Sequence, residues 1–497
     1  MAHLTTQKTD YRGNDVALAG LVLSVLTFWL FAQSTLNIGP LMAEDLGISA
    51  SLLNVAIAIT ALFSGMFIVA LGGMADRFGR VRLAIIGNGL NIAGSLCIVV
   101  AGATLPAVML LLGRILQGLA AASIMPATLS LVRTYWSGAD RQRAVSMWSI
   151  GSWGGTSVAA FLSGMLSATA LGWVSVFYVS IAVSLVAIAI ISRIPESAPA
   201  KGVSSHTDYA GIITLALSMV ALQIVVTMGA DLGWLSPTIV ALAVTFAVVF
   251  WLFLRAERRA HHPIVDLAVF KDLVFTGATL SNFLANATAG LIPVSMWVIQ
   301  SGADMTPEQT GYLTIGYAVA LIGCIRVGEK LQQKVGSKAP MSAGLILVVI
   351  AITLLMATNV TTHTYVVLVI IAFTVYGLGL ALYATPSTDA ALTSLPPEHT
   401  GAGAGIYKMA SSLGAAFGVA IPTAMFTAFN TDGVAWLPEA IAFVGVQHNI
   451  AERQAGMVAM GSVWIMAVIA LAATLLVLPR GAGKDMHLDG ADAADAA

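Results

Sequence analysis

The sequence predicts an all-α polytopic membrane protein, and three observations carry that prediction. Of 497 residues, 58% are hydrophobic and only 9% are charged, with a mean hydropathy of +0.89. A soluble chain of this size is about a quarter charged. Apolar runs recur along nearly the whole length, each long enough to cross roughly 30 Å of hydrocarbon as a helix. The runs also lack the period-two alternation that a membrane β-barrel strand requires.

Fourteen spans are expected, taken here in chain order. The first, 16–38, follows Lys8, Arg12 and Asp15 and is too long for a signal-peptide core, so it reads as a retained helix. The second, 50–72, runs into GGMADRFGRVR at 72–82. There Asp76, Arg77, Arg80 and Arg82 sit among Gly72, Gly73 and Gly79, so the charges exclude lipid and the glycines predict a sharp bend. Spans 83–103 and 106–134 come next, the second carrying Arg114 in its interior. Span 144–167 places small residues at Gly151 and Gly155, and 172–192 closes a set of six. Spans 208–229 and 237–254 are flanked by the longer loops 193–207 and 255–272. A second set of six follows at 273–300, 310–327, 339–358, 363–384, 400–428 and 456–478.

Charge distribution orients the chain. Of the 23 lysines and arginines, all but Arg114, Lys408 and Arg453 fall on one set of alternate loops, span ends and tails. The positive-inside rule places that set, and with an even number of spans both termini, in the cytoplasm. The expected organisation is a cytoplasmic N-terminus at 1–15, a six-helix bundle at 16–192, a linker with two extra helices at 193–272, a second six-helix bundle at 273–480, and a disordered cytoplasmic tail at 481–497. A faint internal repeat supports two halves. Aligning Gly79 with Gly336 sets Arg77 opposite Lys334 and Asp76 opposite Gln333, so the second copy keeps the basic turn and loses its acid.

Several function classes are excluded or unsupported. Net charge near zero and no basic domain argue against nucleic acid, and no G-x-x-x-x-G-K-[ST] loop exists to hold ATP. The eight histidines are scattered and no C-x-x-C occurs, so no metal site, cofactor or catalytic constellation is expected. Cys97 and Cys324 lie in apolar runs and imply no disulfide framework.

The segment at 72–82 resembles the G-x-L-a-D-R-x-G-R loop signature of the major facilitator superfamily, and LLLGRILQG at 110–118 resembles its fourth-helix motif through Arg114, Gln117 and Gly118. Fourteen helices, with the segments DRQRAVSMWSIGSWGG (140–155), YATPSTD (383–389) and AGIYKMASSLGAAFGVA (404–420), resemble the drug:proton antiporter branch that contains quinolone and multidrug efflux pumps. The resemblance implies a major facilitator fold, two six-helix bundles plus two inserted helices, in a bacterial inner membrane. It further implies a monomer that exports lipophilic small-molecule drugs in exchange for protons, without ATP. A facilitator or importer of a small polar solute, and a non-transporting sensor, are the competing readings. The chain departs from the branch in two places. The acid usual in the first helix is replaced by Ala32 beside Gln33, and the fifth-helix G-x-x-x-G-P-x-x-G-G pattern keeps only Gly151 and Gly155.

Ionisable groups within the bilayer are expensive, so each one marks a candidate site. Arg114 is expected either to couple to an acid or to tie helices through backbone carbonyls. With the first-helix acid missing, Asp231 and Asp389 are the candidate proton carriers. Asp389 reads equally as a cap on a short loop helix, and Asp231 as a solvated loop residue. Lys408 either meets a carboxylate-bearing substrate or snorkels to the interface. Gln33 and Asn37 lie four residues apart on one helix face, as do Asn282 and Asn286. With Trp153 and Tyr407 they form the expected substrate-binding set, packing and interhelical hydrogen bonding being the alternative roles. Gly72, Asp76, Arg77, Gly79 and Arg80 are the expected gating latch.

Overall fold

The computed structural model describes residues 11–48, 50–155, 162–163, 165–197, 209–260, 267–303, 305, 307–396, 400–429, 434, 437, 441 and 449–479. The expected tail at 481–497 lies outside them. All regular structure in the described residues is helical. The first half contains α1 (Asp15–Leu46), α2 (Ala50–Phe78), α3 (Arg80–Val100), α4 (Pro106–Tyr135), α5 (Gly138–Ser149) and α6 (Val174–Ile191). Two further helices, α7 (Tyr209–Leu232) and α8 (Pro237–Glu257), form a pair. The rest are α9 (Leu273–Ala287), α10 (Leu291–Ala303), α11 (Pro307–Tyr312), α12 (Ile315–Val335), α13 (Lys338–Met356), α14 (Thr362–Thr393), α15 (Thr400–Phe429) and α16 (Ile450–Val477).

Eleven helical stretches in the described residues are long and apolar enough to cross a membrane, and shorter apolar stretches, Asp15–Phe28 and Ile213–Val226, lie on α1 and α7. The remaining expected span, 144–167, passes through residues outside the described set. Local chemistry sets several helix ends. Asn14 accepts from the Ala17 amide at 2.8 Å to cap α1, and Asp272 accepts from the Phe275 amide at 2.7 Å to cap α9. Pro106 sits in the first turn of α4, where its missing N–H costs nothing.

The expected bend at the charged turn is narrower than the three glycines imply. Helix α2 continues through Gly72 and Gly73 to Phe78, and only Gly79, at φ 114°, breaks it. A helix with its backbone bonds satisfied internally is extended past the lipid wherever its next residues tolerate it. Gly336, the residue aligned with Gly79 in the repeat, ends α12 with φ 83°.

The halves repeat their packing. Helix α4 packs on α2 and α3, α14 on α12 and α13; α6 packs on α1 and α3, α16 on α9 and α13. Small residues let these backbones approach, which is how helices associate where lipid and side chain are equally apolar. A Cβ on Gly94 of α3 would lie 2.7 Å from the Gly113 carbonyl of α4, and one on Gly344 of α13 would lie 2.4 Å from the Gly379 carbonyl of α14. The halves meet through α2 on α15 and through α5 on α12 and α14, while α7 packs on α2 and α15.

Candidate functional site

At the turn between α2 and α3, Asp76 is almost fully buried. Its Oδ1 accepts from Arg80 Nη2 at 2.7 Å and Nε at 3.0 Å, and its Oδ2 accepts from the Ala402 amide at 3.2 Å. Ala402 lies in the first turn of α15, so a carboxylate from one half sits on the positive helix end of the other. Arg80 also donates to Thr134 Oγ1 on α4. Glu196, just after α6, accepts from the amides of Val81 and Arg82 at 2.9 Å each and so satisfies the first turn of α3. A Cβ on Gly79 would lie 2.5 Å from that carboxyl carbon, a second reason for glycine there. Arg77 is half-buried at the end of α2, and Gly72 is buried within it.

Two further contacts join the halves at the same end. Arg133, in the last turn of α4, donates to Thr400 Oγ1 at 2.9 Å and to the Leu395 carbonyl. Arg141 of α5 donates through Nε to Asp389 Oδ1 at 3.0 Å, and Gln332 Nε2 of α12 donates to Asp389 Oδ2 at 2.7 Å. Asp389 does not cap a loop helix. It lies inside α14, past Pro386, and is almost fully buried. Asp389 of α14 thus meets both α5 of the first half and α12 of the second. Arg143, two residues beyond Arg141 on α5, pairs with Asp15 at 2.9 Å, and that hydrogen bond raises its guanidinium above the ordinary value.

Deeper between the halves, Lys408 of α15 donates to Ser152 Oγ at 3.0 Å, and its ammonium lies 4.5 Å from the Trp148 ring centroid. In the described residues no carboxylate comes within 4.0 Å of it. Ser152 belongs to a π-helical turn, Ile150–Gly154, that continues α5, a backbone feature found often at functional positions. The next residue, Trp153, stacks edge-on to Tyr383 of α14 at 6.3 Å, and its buried Nε1 has no hydrogen-bond partner among the described residues. Trp148 is held by its Nε1 donating to Thr128 Oγ1 at 3.0 Å.

Lys408 is 6% exposed and held in the third turn of α15 by these groups. Its neighbour Tyr407 ends a buried chain of hydroxyls. Thr474, Ser281, Tyr383, Ser387 and Tyr407 are linked in sequence at 2.8–3.0 Å. Asn282 donates to the Tyr407 carbonyl at 2.9 Å and to Ser411 Oγ at 2.7 Å, and Asn286 donates to Asn282 Oδ1 at 2.9 Å. Asn282 thus ties α9 to α15, and Asn286 braces it from the next turn of α9.

Arg114 is fully buried in the first half. It donates through Nε to the Ala56 carbonyl of α2 at 3.1 Å, and through Nη1 to Thr35 Oγ1 of α1 and Gln117 Oε1, each at 3.1 Å. The side chains of Gln33, Asn37 and Asp231 lie outside the described residues; the Asp231 backbone is in the last turn of α7. Sequence reading counted Arg133 and Arg141 only as orienting charges and passed over Glu196, Gln332 and Ser152. A buried acid at the depth of an arginine on a facing helix was the available signal for Arg141.

The Major Facilitator Superfamily sequence profile matches residues 18–419 and, in a second match, 275–491. The quinolone resistance protein NorB of Staphylococcus aureus strain MRSA252 is 45% identical over 420 residues, covering 84% of this chain and 90% of that protein. Its counterpart in strain JH9 is 45% identical over 417 residues, covering 84% and 89%. In solved structures, the human organic anion transporter MFSD10 (TETRAN) aligns with a TM-score of 0.61 at 14% identity, covering 92% of this chain and 98% of that one. The proton:xylose symporter XylE aligns with a TM-score of 0.63 at 15% identity, covering 95% and 96%. At those identities the two structures establish the fold alone.

Proposed function

This chain belongs to the major facilitator superfamily, and from that membership we propose that it is a proton-coupled multidrug exporter of a bacterial inner membrane, a transporter and not an enzyme. The observation that carries the reading is the 45% identity to NorB along 84% of the chain. Its substrates are amphipathic drugs: quinolones, lipophilic cations and dyes. It works as a monomer, without ATP, by rocking its two bundles about a central site open to each side in turn.

The contacts between the halves support such a cycle. Asp76 on the Ala402 amide, Arg133 on Thr400 and Arg141 on Asp389 close the arginine-rich end, which faces the cytoplasm together with both termini. Each is a polar contact between separate helices, able to break without unfolding either bundle. The latch of Gly72, Asp76, Arg77, Gly79 and Arg80 is thus one of three such contacts. Asp389 and Asp231 are the proposed proton carriers, and the Asp389 carboxylate holds Arg141 across the halves. Arg114 holds α1 and α2 in register with α4. Lys408, Trp153 and Tyr407 line the substrate path, joined by Asn282, Asn286, Gln33 and Asn37.

The test is dye or quinolone efflux from proteoliposomes under an imposed pH gradient. Efflux that stops when the gradient is collapsed is the expected result, and movement indifferent to the gradient overturns proton coupling.

A further inference from the structure

The inserted helix α8 ends in an arginine cluster that the transport cycle does not use. Trp251, Leu254, Arg255, Arg258 and Arg259 bound a cavity of 240 Å³. Trp251, Leu254 and Arg255 lie on one face of α8, and Arg258 and Arg259 in the turn that ends it. The Arg255 guanidinium lies 5.4 Å from the Trp251 ring centroid, so the tryptophan holds it at the cavity wall. All three arginines are exposed, and in the described residues none makes an ion pair. Three exposed guanidiniums bordering one cavity repel one another, and an anion between them relieves that repulsion. The negative end of α8 favours one cation there, but it does not account for three turned to one cavity.

The rest of the face says which anion. Below Trp251, the side chains of Val248, Val244 and Val240 are exposed at successive turns, an apolar stripe leading from the cavity along the helix. Trp251 is itself 55% exposed at the boundary, where tryptophan anchors to the interface. The cavity also lies at the arginine-rich end. Glu196 after α6 contacts the start of α3, α7 leaves from that end, and α8 returns to it.

We propose that this cavity binds the phosphodiester headgroup of an anionic phospholipid, with Arg255, Arg258 and Arg259 as donors and an acyl chain along Val248, Val244 and Val240. A planar guanidinium suits bidentate phosphate recognition, and basic pockets of membrane helices on the cytoplasmic side take such headgroups. The site is independent of what the protein exports. It assigns the inserted pair a role in fixing the bundle to the anionic leaflet.

The test is native mass spectrometry of the full chain from micelles holding equal phosphatidylglycerol and phosphatidylcholine. The expected result is selective retention of phosphatidylglycerol, falling about fivefold for each of Arg255→Gln, Arg258→Gln and Arg259→Gln. Equal retention of both lipids by the unmodified chain overturns the proposal without any variant. So does undiminished phosphatidylglycerol retention in the triple variant. Displacement of the lipid by millimolar inorganic phosphate makes this a free-anion site and overturns the lipid assignment. A dimer that disappears in the triple variant instead assigns the face to a second copy of the chain.

Discussion

Arg141 and Asp389 form an ion pair at 3.0 Å whose side chains are 11% and 1% exposed, and the pair joins α5 of the first half to α14 of the second. It is the only salt bridge between the halves in the described residues. Both charges are buried, so the pair's net contribution is small while the loss of either partner is costly.

Replacing one partner strands the other. Asp389→Leu leaves Arg141 without its counter-charge and should lower stability by about 3–5 kcal/mol, whereas adding Arg141→Met to Asp389→Leu should recover most of that. Thermal unfolding of the two single variants and the double variant forms the cycle. A double variant as unstable as the sum of the singles rules out direct coupling.

Asp76 makes its inter-half contact with a backbone amide, so charge and acceptor can be separated. Asp76→Asn keeps an acceptor for Ala402 or for Arg80 but loses the charge at the α15 terminus, worth up to about 2 kcal/mol where partly buried. The population should shift toward opening at the arginine-rich end, and further in Asp76→Ala. Distance distributions between spin labels on α2 and α15 measure this; distributions matching the parent protein remove the latch role.

Gly405 of α15 faces α2, where a Cβ would lie 2.8 Å from the Ile68 carbonyl. Gly405→Ala should wedge the halves apart by about 1–3 kcal/mol while each bundle still folds. Gly418→Ala is the contrast: its Cβ would lie 1.9 Å from the Ala287 carbonyl within the second half. It should reduce folded yield instead. Thiol labelling at the arginine-rich end and monodisperse yield in detergent distinguish the two.

Lys408 offers a substrate a single positive charge beside the Trp148 ring. If it receives a carboxylate, Lys408→Gln should cut efflux of a zwitterionic quinolone by about tenfold or more, from the loss of a hydrogen bond to a charged group, and spare a permanent cation. Equal losses for both substrates would assign Lys408 to holding α15 against Ser152 and Trp148.

Much of the architecture was legible because the bilayer imposes long apolar helices whose ends carry charge. The start of α9 at Leu273 agrees with the expected span, and Gly79 and Gly336 end helices at aligned positions. Less legible was where a helix continues past the lipid. Helix α2 runs through Gly72 to Phe78 and α14 past the expected end to Thr393, because backbone hydrogen bonds persist in water as well as lipid. The site was legible as residue types only. Lys408 and Asp389 stood out as charges, but Asn282 and Asn286 show a spacing that interhelical ties and a binding face share.

The sequence by itself determined the class and the order of the apolar spans, and it set the basic residues on alternate connections between them. These follow from what each segment must bury or expose along its own length. Only the tertiary structure decided that Asp76 meets the start of α15, that Asp389 of α14 meets Arg141 of α5, and that Ser152 and Trp148 hold Lys408. Those partners are hundreds of residues apart. Their choice rests on which helices small residues allow into contact, a property of two surfaces together.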